Sequence, residues 1–405
     1  MFQTRRQRLN RNLLEKNMQA VLIDSPSNLY YYTGFTGGEA VLLMFVSEQD
    51  TPKTDCSINQ GLDNGNTKKE QLKTNRVYLI TDSRYYEQVE KECPDITLIR
   101  MENKGFSEYV KELLENYDDN FNESHSQSIV SNSKKSKELM CTIAVEDTMN
   151  LELYLKLSNA CPNNQFVIAK DAIMESRMIK DEAELQIIAK AEAIGDAAFT
   201  HILDYMKPGV TEADIALEIE FFMKRQGASK LSFDTIVASG PNSSMPHAQV
   251  TNRKLQMGDF VTMDFGCVYQ GYCSDMTRTV AIGEPTEEMR KVYQIVLDAN
   301  IRAMEAIREG VKCNEIDAVA RDYIKSQGYG DYFGHGLGHG VGLDIHEEPR
   351  FSPKCDVITK ENMVITDEPG IYLPGRFGVR IEDLIVVKKD EYEKLSHSDK
   401  QLIVL

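Results

Sequence analysis

The chain has 405 residues, enough for two domains that each bury a core. Its formal net charge of −17 excludes the basic face of a general nucleic-acid binder and a polybasic membrane anchor. No apolar run reaches the ~18 residues of a membrane span, and the basic N-terminus lacks the apolar stretch of a signal peptide, so a cytoplasmic protein is expected.

Residues 5–16 carry the spacing of an amphipathic helix. A short apolar strand, Ala20 to Ile23, precedes a turn at Ser25-Pro26-Ser27-Asn28 and the run Tyr30-Tyr31-Tyr32-Thr33-Gly34-Phe35. Ala40 to Val46 is continuously apolar, as in a strand covered on both faces. From about Glu48 to Asn75 the sequence turns polar and loses periodicity, which reads as a surface loop. Val77-Tyr78-Leu79-Ile80 resumes the strand pattern, and Thr81-Asp82-Ser83-Arg84-Tyr85 leads into a helix. Strands and helices alternate to about Ala169, broken by a second polar stretch from Asp118 to Lys137. Such alternation predicts an α/β domain over 1–170.

The texture changes in the second domain, 171–405. A long helix starts near Asp181, with apolar contacts at Leu185, Ile188, Ala191, Ala198 and Ile202, and stops at Lys207-Pro208-Gly209. Thr211 caps another that ends at Gly227. Thr286 caps a third that ends at Gly310, and a fourth runs from Asn314 to Gly328. Gly209/Gly310, Val210/Val311, Ile215/Ile316, Lys224/Lys325, Gln226/Gln327 and Gly227/Gly328 recur at constant spacing. This reads as a weak internal duplication, with chance likeness between helices as the alternative. The eight cysteines are scattered without a C-x-x-C pair and are expected to be free thiols.

Three of the seven histidines, His335, His339 and His346, fall in the glycine-rich stretch from Gly334 to Pro349. Glycines cost about 1 kcal/mol each in a helix interior, so this stretch runs extended and approaches something closely. It is neither H-E-x-x-H nor a G-x-G-x-x-G turn after a strand. Residues 261–279 read as a hairpin. A two-residue turn at Tyr269-Gln270 would set Asp264 opposite Asp275, with Cβ atoms ~4.5–5.5 Å apart. A buried pair at that distance needs a proton or a cation, whereas an exposed pair would simply be solvated. A second hairpin, turning at Pro374-Gly375-Arg376, would bring Glu368 opposite Glu382 inside an apolar strand. An unpartnered carboxylate is costly there, unless the strand is a surface edge. Four carboxylates and one imidazole suit two divalent ions sharing ligands, with Mn²⁺ favoured and Co²⁺, Fe²⁺ or Zn²⁺ possible. Two such ions activate water and polarise a carbonyl, which points to metal-assisted hydrolysis.

Asp264, Asp275, His339, Glu368 and Glu382, in this order and context, resemble the ligand set of the pita-bread metallopeptidases. Asn28 to Phe35, Thr81 to Tyr85 and Ser176 to Leu185 resemble the creatinase-type N-terminal domain and the entry to the catalytic domain. The resemblance implies an α/β N-terminal creatinase-like domain plus an α+β pseudo-twofold pita-bread catalytic domain. It implies an aminopeptidase P or prolidase-like enzyme, binding two metal ions and acting on short proline-containing peptides as a homodimer. It makes His247 the substrate-facing histidine and His346 the group that stabilises the tetrahedral intermediate. Glu368 becomes a proton shuttle as well as a ligand. Arg380 and Tyr372 hold the carboxylates and assist the intermediate, and His335 lies near the site without being a ligand. Arg350 and Arg376 are both candidates to cap a product-side carboxylate, so dipeptidase and aminopeptidase stay open. A relative with little proline preference, or a non-enzymatic interaction protein, are the alternatives.

Overall fold

A computed structural model of the chain describes residues 1–47, 76–125 and 141–405. The described residues form two compact units, Met1–Ser176 and Arg177–Leu405. The division falls beyond residue 170 because a helix, Lys170–Met178, runs through the expected boundary.

The first unit contains α1 (Phe2–Glu15), β1 (Ala20–Ile23), α2 (Pro26–Thr33), β2 (Ala40–Phe45), β3 (Val77–Thr81), α3 (Tyr86–Glu92), β4 (Thr97–Arg100), α4 (Phe106–His125), β5 (Thr142–Val145), α5 (Leu151–Ala160), β6 (Gln165–Ile168) and the first turns of α6 (Lys170–Met178). Among the described residues, its strands form one mixed sheet in the order β4-β3-β2-β1-β5-β6. β1 and β2 are buried along their whole length, as their unbroken apolar sequences require. The turn expected at Ser25 to Asn28 is instead a helix start. Ser25 caps it and Pro26 takes the first-turn position, where its missing N–H costs nothing. Likewise α4 continues into the polar stretch 118–137, because residues 118–125 contain neither Pro nor Gly to stop it. The remainder of that stretch, and all of 48–75, lie outside the described residues.

The second unit follows with α7 (Glu182–Leu203), α8 (Glu212–Arg225), β7 (Lys230–Leu231), β8 (Ile236–Ser239), β9 (Phe260–Phe265), β10 (Cys267–Tyr269), β11 (Tyr272–Cys273), β12 (Met276–Ala281), α9 (Glu287–Ala306), α10 (Cys313–Ser326), β13 (Gly338–Gly340), β14 (Glu347–Phe351), β15 (Val364–Asp367), β16 (Gly370–Leu373), β17 (Phe377–Arg380), β18 (Asp383–Val387) and β19 (Tyr392–Lys394). Asp181 and Thr211 each close a capping box, with Glu184 and Asp214, and Thr286 caps α9. The recurring positions are structurally equivalent. Gly209 and Gly310 have φ of +94° and +86°, and Gly227 and Gly328 have +105° and +87°. The Gly209 N–H donates to the Leu255 carbonyl as Gly310 donates to Thr359, and Leu255 and Thr359 donate back to Val210 and Val311. The first half packs Phe199, Ile215, Met223 and Phe265 into one core, and the second packs Val296, Ile316, Ile324 and Phe351 into another. Each half thus lays a helix pair against its own small sheet, β12-β9-β8 or β14-β13-β15-β18-β19. Among the described residues, no helix is long and apolar enough to cross a membrane and no cysteine is in a disulfide.

Candidate metal centre

The first hairpin forms with a register two residues from the expected one. Tyr269 pairs with Tyr272, so Gln270 and Gly271 make the turn, both at positive φ (46° and 89°). A type I′ turn needs that conformation at both central residues, and Gly271 supplies it more easily than Tyr269 could. Asp264 therefore sits opposite Thr277, and Asp275 lies just before β12. A slip of two residues, unlike a slip of one, leaves side chains on the same face. Both aspartates still reach one site.

The second hairpin has the expected register. Asp367 pairs with Asp383 in one ladder and Gly370 with Arg380 in the next, so Glu368 and Glu382 face each other where the ladders meet. His339 is central in β13, between β14 and β15. The glycine beside it has a steric reason: a Cβ on Gly338 would stand 1.9 Å from the Thr366 carbonyl oxygen. Gly338 thus approaches the neighbouring strand that leads into Glu368, while Gly336 and Gly340 approach the backbone of β14.

Ligand atoms of Asp275, His339 and Glu382 lie within 4.8 Å of one another, and all three residues are buried. His339 Nε2 is 3.5 Å from Asp275 Oδ2 and 3.5 Å from Glu368 Oε1. The Nδ1–H of His339 donates to the Gly340 carbonyl at 3.1 Å. In the neutral ring, Nε2 then presents a lone pair towards carboxylate oxygens, an arrangement of acceptors that requires a cation. Asp264 gives Oδ2 to Arg380 at 2.6 Å, while its Oδ1 is buried without a hydrogen-bond partner among the described residues. Burial, with Glu382 and Asp264 nearby, pushes Asp275 well above the usual carboxylate range. Burial, with Glu368 and Asp264, does the same to Glu382, and burial raises Glu368 to about 8. Burial lowers His339 to about 3. Crowded carboxylates that resist ionisation, around an imidazole that resists protonation, fit divalent ions as the missing positive charge.

These groups open into a cavity of about 950 Å³. His247, His346 and Arg350 stand on its wall, and the His346 ring meets His339 edge-on at 4.5 Å. Arg350 pairs directly with His339 across β13 and β14, which puts both side chains on one face. Arg376 is elsewhere, exposed and paired with Glu288. Arg380 also donates to Thr277 Oγ1 (3.0 Å), the Pro246 carbonyl (3.1 Å) and the Tyr372 hydroxyl (2.9 Å). The Thr277 hydroxyl donates in turn to Glu382 at 2.7 Å. His335 uses its Nδ1–H on the Gly336 carbonyl, so its Nε2 accepts from the Tyr372 hydroxyl at 2.9 Å. It supports Tyr372 at a distance from the carboxylates.

Three supporting residues have no motif of their own. Glu192, buried on α7, accepts from the Asp275 N–H and the Ser396 hydroxyl. Glu212, at the start of α8, accepts from Ser239, Asn242 and Thr251, clasping the loop that carries His247. Asp317 on α10 accepts from the Leu337 N–H and pairs with Arg321, which donates to the His335 carbonyl. Glu192 left one signal. It sits among Leu185, Ile188, Gly195, Phe199 and Ile202 on the stripe that α7 buries, where a charge has to have partners.

Residues 186–389 match Metallopeptidase family M24, and residues 5–57 and 71–179 match the Creatinase/Prolidase N-terminal domain. An uncharacterized peptidase of Bacillus subtilis, YqhT, is 36% identical over 98% of both chains. The Xaa-Pro dipeptidase of Pyrococcus furiosus is 41% identical over 65% of this chain and 75% of its own. Among solved structures, the Xaa-Pro dipeptidase from Bacillus anthracis superposes with a TM-score of 0.85 at 34% identity over the whole of both chains. The X-Pro aminopeptidase from Thermotoga maritima gives 0.79 at 33%, covering 98% of this chain and 100% of the other. With the pita-bread arrangement of paired helices and small sheets, a creatinase-type domain ahead of it and a buried Asp–His–Glu cluster, the chain belongs to metallopeptidase family M24.

Proposed function

We propose that the protein hydrolyses the peptide bond between an N-terminal residue and proline in short peptides. The observation that carries this reading is the four-carboxylate, one-imidazole cluster at the floor of a cavity whose wall holds His247 and His346. Its similarity to Xaa-Pro dipeptidases supports the substrate class. Bonds to proline need a dedicated enzyme, because the ring fixes φ and removes the N–H that strand-like recognition uses.

Asp264, Asp275, His339, Glu368 and Glu382 would hold two divalent ions. Five donors of which four are carboxylates favour Mn²⁺. When bound, such ions act as Lewis acids and make water nucleophilic near neutral pH. The chain's own groups do the rest. Glu368, at the cavity floor, takes a proton from the attacking water and returns it to the departing imino nitrogen. His346 and His247 offer ring N–H groups to the carbonyl oxygen as it becomes an oxyanion. Arg380 neutralises Asp264 and fixes the Tyr372 hydroxyl, so the floor keeps its shape as charge moves. Arg350, on the same face as His339 and lining the cavity, would receive a free carboxylate, which favours dipeptides over longer substrates. A homodimer in the cytoplasm completes the proposal.

The test is hydrolysis of Xaa-Pro dipeptides and Xaa-Pro-Xaa tripeptides with Mn²⁺. Faster turnover of the dipeptide is expected. An enzyme that binds metal yet cleaves neither substrate would refute the reading, and equal rates on Xaa-Ala peptides would remove its proline specificity.

A further inference from the structure

Arg177, in the last turn of α6, and Lys180, on the segment joining α6 to α7, lie far in sequence from every residue of the metal centre. Both side chains are almost fully buried, at 2% and 1% exposure. Both point at one carboxylate, Glu347, itself 1% exposed. Arg177 forms a hydrogen-bonded ion pair with Glu347 and donates to Asp344 at 2.9 Å; Lys180 donates to Glu347 at 3.2 Å. The Asp344 N–H donates to Glu347 at 3.2 Å. Two cations and two carboxylates thus balance within one cluster.

Glu347 is the residue after His346. His346, at the bend just before β14, lines the cavity, while Glu347, the first residue of that strand, faces the cations. The loop between β13 and β14 wraps the carboxylate closely: a Cβ on Gly342 would stand 2.5 Å from Glu347 Oε1. The cations are fixed in turn. The Lys180 N–H donates to the Asn362 carbonyl, and Ile179 bridges to Met363, the residue before β15. The strand that leads into Glu368 and the loop that ends in His346 are therefore tied to the same short segment.

We propose that Arg177 and Lys180 are positioning residues for His346, acting through Glu347. They set the distance of its ring from the metal centre without touching substrate. Buried ion pairs add little net stability relative to apolar packing, yet they tolerate few alternative geometries, which suits a registering device. The proposal rests on the reading that His346 contacts the scissile carbonyl.

The experiment is a cycle of R177Q, H346A and the double variant on an Xaa-Pro dipeptide with Mn²⁺, with R177K and K180M alongside. R177Q is expected to lower kcat by about 10- to 100-fold with KM within about twofold, the range seen when a supporting partner is lost. R177K should recover part of the loss. In the H346A background, R177Q should cost less than about twofold more, because its target is gone. Losses that multiply overturn the proposal. If R177Q does not fold, K180M, which keeps the Arg177–Glu347 pair, should show a smaller loss with the same lack of multiplication. A second readout is independent of turnover. The ¹⁵N-linked ring signals of His346, identified by their absence in H346A, should be single in the parent protein and split or broadened in R177Q or K180M. Unchanged signals overturn the proposal, whereas failure of the parent protein to cleave Xaa-Pro peptides removes only the assigned reaction.

Discussion

Glu347 and Glu382 are both buried carboxylates of the second unit, but they differ in the positive charge beside them. Glu347 has Arg177 and Lys180, and although burial pushes its pKa up, those two cations bring it down to about 2. Glu382 has three carboxylates for company, with Arg380 as an opposing cation, and burial and those carboxylates raise it well above the usual range. The first cluster is electrically complete within the chain. The second is complete only with ions from outside, which is how a structural charge cluster differs from a ligand-binding one.

The largest expected effect removes the outside charge. E382Q should lose bound metal and drop kcat/KM by about 10³-fold or more, whereas E347Q should keep its metal; elemental analysis of the purified proteins checks both. Metal retained by E382Q and lost from E347Q would invert the comparison. Next comes stability without metal. E347Q leaves two buried cations short of charge and should cost about 3–5 kcal/mol in urea unfolding. In metal-free protein E382Q removes a repelling charge, so it should unfold at equal or higher urea.

The pH dependence follows from the same contrast. Glu368, raised from 4.5 to about 8, favours the metal-free fold fully below pH 4.5, and that contribution fades as pH rises through about 8. Glu347, lowered from 4.5 to about 2, contributes fully above pH 4.5 and fades as pH falls through about 2. Metal-free protein should therefore lose melting temperature from pH 5 to 8, and saturating Mn²⁺ should flatten that slope. A slope unaltered by metal would contradict the assignment of Glu368 to the ion site. The smallest effect belongs to Tyr372. Y372F breaks the chain from Arg380 to His335 and should reduce kcat about tenfold with metal content unchanged.

How far these features could be read from the sequence depended on whether a residue's partners were near in the chain. The Glu368–Glu382 register was legible because Pro374-Gly375-Arg376 marks its turn within a short apolar hairpin. The Asp264–Asp275 register was not, because Tyr-Gln and Gln-Gly compete for one turn and only the positive φ of both central residues decides it. The helix start near Asp181 and the caps at Thr211 and Thr286 were legible, since capping is local. The α2 start was missed because Ser-Pro-Ser-Asn serves a turn and a first helical turn equally well. Glu192, Glu212, Asp317 and the Arg177–Lys180–Glu347 cluster depend on partners between 3 and 204 residues away, so spacing alone could not announce most of their contacts.

The split of the metal centre between the two hairpins also orders events in time. Asp264 and Asp275 belong to the first half, while His339, Glu368 and Glu382 belong to the second, and the Thr277 hydroxyl donates to Glu382 where they meet. A nascent chain emerging only as far as β12 carries Asp264 and Asp275 but not yet His339, Glu368 or Glu382. On the proposed ligand set the full site exists only once the last hairpin is in place, so the ions would act as a latch on finished protein rather than as a template for early folding.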